Sequence, residues 1–79
     1  MTVFKIQLVT IEDVRTFVTN ANMQMCEADV VSGRYTIDAK SLLGIFSLDL
    51  SKPVEVHVHG TSHDAERFKE AIKHLIVEE

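Results

Sequence analysis

The stretch 54–59 constrains the fold most, because hydrophobic and polar side chains alternate strictly along it. Val54, Val56 and Val58 occupy every second position, with Glu55, His57 and His59 following them in turn. Successive side chains of a strand point to opposite faces of a sheet, so this pattern predicts a strand with one buried and one solvated face. Such strands are typical of antiparallel sheets that are covered on one side only.

A helix is predicted ahead of this strand, from Ile11 to about Met23, where hydrophobic residues recur at helical spacing. Thr10 precedes it and Asp13 stands three residues further on, which is the spacing of a capping box. The predicted buried stripe of this helix consists of Ile11, Val14, Phe17, Val18, Ala21 and Met25.

Two further helices are predicted in the second half of the chain. Ser41 is expected to cap a short one, and Thr61 or Ser62 to cap a final helix over residues 64–77. The short helix carries the hydrophobic residues Leu42, Leu43, Ile45 and Phe46. The stripe of the final helix is predicted to contain Phe68, Ala71, Ile72, Leu75 and Ile76.

Three more strands complete the pattern. Alternation over residues 3–8 predicts the first, and residues 28–31 and 34–38 predict a pair joined by a turn at Ser32 and Gly33. In the last of these, Tyr35 and Ile37 share a face. The order βαββαβα predicts an α+β fold of one domain over residues 1–79. It is an open-faced β-sandwich, in which three helices cover one face of a four-stranded antiparallel sheet.

Charge and cysteine content exclude several classes of partner. The net charge is −4 and the basic residues are scattered, so neither nucleic acid nor an anionic membrane is an expected partner. The single cysteine, Cys26, is expected to be a buried hydrophobe, and no apolar stretch approaches the roughly 20 residues of a membrane span. We therefore expect a cytoplasmic monomer.

No catalytic or cofactor motif is visible in the sequence, so neither an enzyme nor a bound cofactor is predicted. Glu55, His57 and His59 are potential metal ligands on one strand face. We interpret them as solvent-facing strand residues and predict no metal site, because a flat face supplies no defined fourth ligand. A domain that senses a metal or a small ligand remains an alternative hypothesis.

The segment 38–48, Asp-Ala-Lys-Ser-Leu-Leu-Gly-Ile-Phe-Ser-Leu, closely resembles the regulatory segment of Gram-positive HPr proteins. These are the phosphocarriers of the phosphoenolpyruvate:sugar phosphotransferase system, and the resemblance extends from about Thr10 onward. The family carries a phosphoryl group on a histidine at the start of its first helix. In this register, Thr10 occupies the histidine position of the family motif, Glu12 the arginine position and Asp13 the proline position.

These substitutions predict that no catalytic residue of the family carries over. A phosphothreonine ester is far more stable than a phosphorylated imidazole and does not pass its phosphoryl group on readily. The two carboxylates also oppose an anion at a helix start that otherwise attracts one. We expect none of the other histidines to take the place of the family's phosphate-carrying histidine; they are His57, His59, His63 and His74.

The resemblance also implies a regulatory and binding surface. Ser41 matches the serine that a dedicated kinase phosphorylates in the family, although helix capping alone also explains it. Leu43 and Phe46 match an exposed apolar docking patch, with core packing as the competing interpretation. We therefore predict an HPr-like regulatory module whose partners are proteins: components of the phosphotransferase system, HPr kinase or a new partner. The alternative within the family is a genuine phosphocarrier with an unconventional acceptor.

Overall fold

The computed structural model describes residues 1–77. The order of helices and strands is the predicted one. In chain order the elements are β1 (Thr2–Ile6), α1 (Ile11–Met23), β2 (Glu27–Ser32), β3 (Tyr35–Asp38), α2 (Leu42–Phe46), β4 (Val54–His59) and α3 (Ser62–Ala71), followed by a 3₁₀ turn, Lys73–Leu75. None of the helices in this part of the chain is long and apolar enough to cross a membrane.

The four strands form one antiparallel sheet in the order β1-β4-β2-β3. Ile6 lies opposite Val54, so the start of β4 is level with the end of β1, from which the chain leads into α1. The three valines of β4 are buried, whereas His59 at its end is exposed. The alternation of β4 thus distinguishes a helix-covered face from an open face, as the sequence predicted.

The helices supply the other half of the core. Phe17 of α1 and Phe68 of α3 are both fully buried, with ring centroids 5.6 Å apart. Phe4 of β1 meets Phe68 edge-on at 6.4 Å. Cys26 is 8% exposed, which confirms the expectation of a buried thiol.

The predicted stripe of α1 is wrong at both of its ends. Ile11 is 63% exposed and Met25 is 92% exposed, whereas Val14, Phe17 and the other inner members are buried. Ile11 is the first residue of α1, and Met25 lies beyond the last residue, Met23. Helical spacing places a side chain on the buried stripe only while the helix continues and a neighbour covers it.

The final helix is shorter than predicted, because α3 ends at Ala71 and not at Val77. After the 3₁₀ turn, Ile76 forms an antiparallel bridge with Ile6, and the Val77 amide donates to the Lys5 carbonyl at 3.0 Å. β1 is an edge strand, so its outer backbone groups need partners, and an extended C-terminal segment supplies them.

Two further residues that were predicted on shared faces are exposed in the structure. Ala71, at the end of α3, was placed on the helix stripe, and Tyr35, at the start of β3, was placed on a face with Ile37. Ile37 packs against the core, but Tyr35 is 68% exposed. Each of the two exposed residues is the terminal residue of its element, where neighbouring cover is incomplete.

Candidate functional site at two helix N-termini

The N-terminus of α1 is capped by the side chains of Thr10 and Asp13. Thr10 is the N-cap, and its Oγ1 accepts a hydrogen bond from the Asp13 amide at 3.0 Å. In return, Asp13 Oδ2 accepts from the amides of Val9 at 2.9 Å and Thr10 at 3.2 Å. The predicted capping box is therefore present, with the carboxylate extended over one additional backbone donor.

This arrangement places a negative charge at the positive end of the helix. The hydrogen bonds from the Val9 and Thr10 amides hold the pKa of Asp13 below its ordinary value of 3.8. Glu12 adds a second acidic side chain in the first turn. Two backbone donors at this helix start, the Val9 and Thr10 amides, are thus bonded to a carboxylate of the chain itself.

The chain brings two distant segments to the same end of α1. Gln7 Nε2 donates to the Leu50 carbonyl at 3.0 Å, so the loop after α2 lies beside the loop before α1. On the other side, the Gln7 amide donates to the Leu75 carbonyl at 2.9 Å. His74 precedes Leu75 in the 3₁₀ turn, so this turn lies beside the loop that leads into α1. The sequence does not predict the contact between Gln7 and Leu75, because it depends on the turn that follows α3.

The N-terminus of α2 is built differently. Ser41 is its N-cap, and Ser41 Oγ accepts from the Gly44 amide at 3.2 Å. The first turn of α2 contains no acidic residue. The Ser41 amide donates to the Asp38 carbonyl at 3.0 Å, which fixes the serine at the end of β3. The predicted capping role of Ser41 is confirmed.

Apolar side chains are exposed beside both helix starts. Leu43 is 82% exposed and Phe46 is 41% exposed, while Ile45 between them is fully buried and anchors α2. Val9 is 77% exposed and Ile11, as above, is also exposed. Sequence reasoning proposed Leu43 and Phe46 but assigned Ile11 to the core, so it missed the exposed apolar residue at the start of α1.

The histidines of β4 lie on the open face of the sheet. His57 Nε2 is 2.9 Å from Glu55 Oε1, and His59 Nε2 is 2.8 Å from Asp29 Oδ2. Asp29 belongs to β2, and its pairing with His59 was not visible in the sequence. β4 runs antiparallel to β1, so these imidazoles are carried away from the start of α1.

The chain matches one family model and several solved structures of known proteins. A family model described as the PTS HPr component phosphorylation site matches residues 14–78. The chain belongs to the HPr family. Its fold is similar to the crystal structure of HPr-C-His from Thermoanaerobacter tengcongensis, with a TM-score of 0.78 and 25% sequence identity over 96% of this chain and 91% of that one.

A second similar structure is the phosphocarrier protein HPr from Bacillus anthracis. It aligns over 96% of both chains, with a TM-score of 0.73 and 22% identity, and this likeness concerns the fold. A search of curated proteins finds no match. The match to the HPr family model begins at Val14, immediately after the positions of Thr10, Glu12 and Asp13. The segment that caps α1 thus lies outside the matched residues.

Proposed function

We propose that this HPr family member is a regulatory binding module of the phosphotransferase system that does not carry a phosphoryl group on a histidine at α1. The observation that carries the proposal is the N-terminus of α1, where Asp13 accepts the amides of Val9 and Thr10. A phosphoryl group at Thr10 would have to remain beside two carboxylates, Asp13 and Glu12. Electrostatic repulsion opposes both the approach and the retention of the group.

The partner surface of the proposal is α2 with the exposed residues of α1. Leu43 and Phe46 are exposed although they are apolar, and Ile45 holds their helix in the core. Exposed apolar residues that adjoin polar ones are typical of interaction sites. We propose a protein partner from the phosphotransferase system for this surface, in the cytoplasm, and a monomeric state for the free protein.

Ser41 is the regulatory residue of the proposal. Its Oγ is engaged by the Gly44 amide, and the first turn of α2 brings no carboxylate near it. Lys40 precedes it, with Nζ 3.5 Å from Glu27 Oε2. A phosphoryl group on Ser41 adds about 1.5 to 2 negative charges at a neutral pH. Asp38 opposes that charge and Lys40 offsets it, so the added charge alters how α2 meets a partner.

The proposal is tested with phosphoenolpyruvate and the upstream enzyme of the phosphotransferase system, followed by mass analysis of the intact chain. We expect no acid-labile phosphate on the wild-type protein, while a genuine HPr in the same reaction is fully labelled. Acid-labile phosphate on the wild-type chain, with onward transfer to a sugar-transporter subunit, would overturn the proposal.

The regulatory role is tested separately with HPr kinase and ATP. We expect one phosphate on the wild-type chain and none on Ser41→Ala, with Ser47→Ala as a matched control that keeps the phosphate. Equal incorporation into wild type and Ser41→Ala would remove Ser41 from the proposal. Leu43→Ala and Phe46→Ala keep the acceptor hydroxyl of Ser41 and are expected to weaken partner binding.

A second candidate function is phosphate carriage by another histidine, and the position of His74 favours it over the remaining imidazoles. The 3₁₀ turn contains His74, and the Leu75 carbonyl of the same turn accepts from the Gln7 amide, three residues before Thr10. In the reaction with phosphoenolpyruvate, this candidate predicts acid-labile phosphate that disappears in His74→Ala and persists in His63→Ala. Labelling that survives in His74→Ala contradicts it.

A further inference from the structure

The open face of the sheet carries a second group of reactive side chains, away from both helix N-termini. His57 and His59 lie two residues apart on β4, and Asp29 of β2 lies directly opposite His57 in the register. His59 Nε2 is already 2.8 Å from Asp29 Oδ2. The carboxylate of Asp29, on the neighbouring strand β2, therefore lies beside the two histidines. The alternation of β4 does not predict it.

We propose that His57, His59 and Asp29 form a binding site for a divalent cation of the zinc class, with water in the fourth position. Two imidazoles and one carboxylate are a ligand set that zinc uses in proteins when one position stays open. The inference is independent of the function proposed for α1 and α2, because its residues touch neither helix start.

The geometry requires one rearrangement. As the side chains stand within residues 1–77, no three potential ligands converge on one point, because His57 is turned toward Glu55. Side chains directly opposite on antiparallel strands have Cβ atoms about 4.5–5.5 Å apart, so His57 reaches the side of Asp29 by rotating about its own side-chain torsions. His59 and Asp29 need to separate only slightly, since ligand atoms of a tetrahedral zinc site are about 3.3 Å apart.

The charge around the site favours a cation. Glu27 lies opposite His59 and Asp38 lies opposite Asp29, so both flanking positions on β2 and β3 are acidic. Lys40 approaches Glu27, and Lys5 lies opposite Glu55 on β1, so the basic groups adjoin the outer carboxylates. An anion is disfavoured by the same acidic surroundings, and imidazole ligands select zinc, nickel or copper over magnesium and calcium.

The experiment is a calorimetric titration of the tag-free chain with Zn²⁺, supported by the visible absorption of Co²⁺ in the same site. We expect one equivalent to bind, and His57→Ala, His59→Ala and Asp29→Asn each to weaken binding at least about tenfold. His63→Ala and His74→Ala are matched controls that lie outside the cluster and leave the affinity unchanged. Because the metal replaces any proton on the ligand nitrogens, binding also weakens as the pH falls.

Far-ultraviolet circular dichroism of each variant confirms that the sheet is retained before its affinity is compared. The inference is overturned if wild type binds no Zn²⁺, or if the double variant His57→Ala/His59→Ala binds it as tightly as wild type. It is also overturned if His63→Ala or His74→Ala produces the same loss. None of these results depends on phosphorylation at Ser41 or at α1, so failure here and failure of the proposed function are separate outcomes.

Discussion

The N-termini of α1 and α2 are both capped by a hydroxyl side chain, but their first turns differ. At α1, Asp13 accepts the amides of Val9 and Thr10, and Glu12 adds a further carboxylate. At α2, Ser41 accepts one amide and the first turn contains no acidic residue. The start of α1 therefore already binds a carboxylate of the chain through two backbone amides, and the start of α2 does not.

The N-terminus of α3 is capped in the same way as that of α1. Thr61 Oγ1 accepts from the Asp64 amide at 3.1 Å, and Asp64 Oδ2 accepts from the Thr61 amide at 3.0 Å. This capping box has the same residue types and spacing as the one at α1. The start of α1, where we propose that no phosphate-carrying histidine stands, thus has the arrangement that this chain also uses to begin α3.

The largest effect is expected from rebuilding the family motif at α1. The variant Thr10→His/Glu12→Arg/Asp13→Pro removes both carboxylates and supplies an acceptor and a cation. We expect it to accept acid-labile phosphate from the upstream enzyme, as measured by mass analysis. Thr10→His alone should react at least about tenfold more slowly, because it lacks a charge-assisted hydrogen bond worth about 1.5–3 kcal/mol.

Equal reaction rates for the single and triple variants would show that the two carboxylates do not slow phosphorylation at the start of α1. The triple variant with His74→Ala serves as the control that the label is on the new histidine. Circular dichroism before the reaction shows whether the altered cap still supports α1.

The next largest effect is a loss of stability when Gly44, where α2 packs closely on the sheet, is replaced. A Cβ added at Gly44 would lie 2.6 Å from Ile37 Cγ2 and 2.9 Å from Ser41 Oγ. We expect Gly44→Ala to lower the free energy of unfolding by about 1–3 kcal/mol, measured by urea denaturation, because overpacking outweighs the helix propensity of alanine. Leu43→Ala, on the exposed side of α2, is the control and should change it by less than about 0.5 kcal/mol. An increase in stability for Gly44→Ala would contradict this close contact.

The two caps themselves should differ in strength. Thr10→Ala is expected to lower the free energy of unfolding by about 1–2 kcal/mol, because Thr10 belongs to a reciprocal capping box on the longest helix. Ser41→Ala is expected to cost about 0.5–1 kcal/mol, since Ser41 accepts a single amide on a five-residue helix. Urea denaturation of both variants ranks the caps, and a larger loss at Ser41 would reverse the comparison.

The smallest effect is the pH dependence of stability in acid. The pKa of Asp13 is lowered in the folded chain by the Val9 and Thr10 amides, so the resulting stabilisation is fully present above the ordinary value of 3.8. It is lost as the pH falls through the lower folded pKa, when the carboxylate is protonated in both states. Asp13→Asn should flatten the dependence of the unfolding midpoint on pH below about 5.

Ser41→Ala is the matched control for this measurement, because α2 has no acidic residue in its first turn and its cap does not titrate. It should lower the unfolding midpoint equally across the acid range. The same slope for wild type and Asp13→Asn would show that the carboxylate contributes nothing to the pH dependence.

Local sequence patterns predicted the parts of the molecule that neighbours along the chain decide. Both capping boxes follow from a threonine and an aspartate three residues apart, and the burial of β4 follows from alternation. Of the candidate site residues, Ser41 is a cap as expected. The ends of elements were predicted less well, as Ile11 and Met25 demonstrate, because their burial depends on cover from elsewhere.

By itself, the sequence determined the order of the elements, the helix caps and the absence of a histidine at the start of α1, because each depends on residues a few positions apart. The tertiary structure alone decided that Gln7 meets Leu75, that Ile76 pairs with Ile6 and that Asp29 meets His59. These pairs are separated by many residues, and only the register of the sheet and the packing of the chain ends bring them together. Short-range spacing contains no information about such distances.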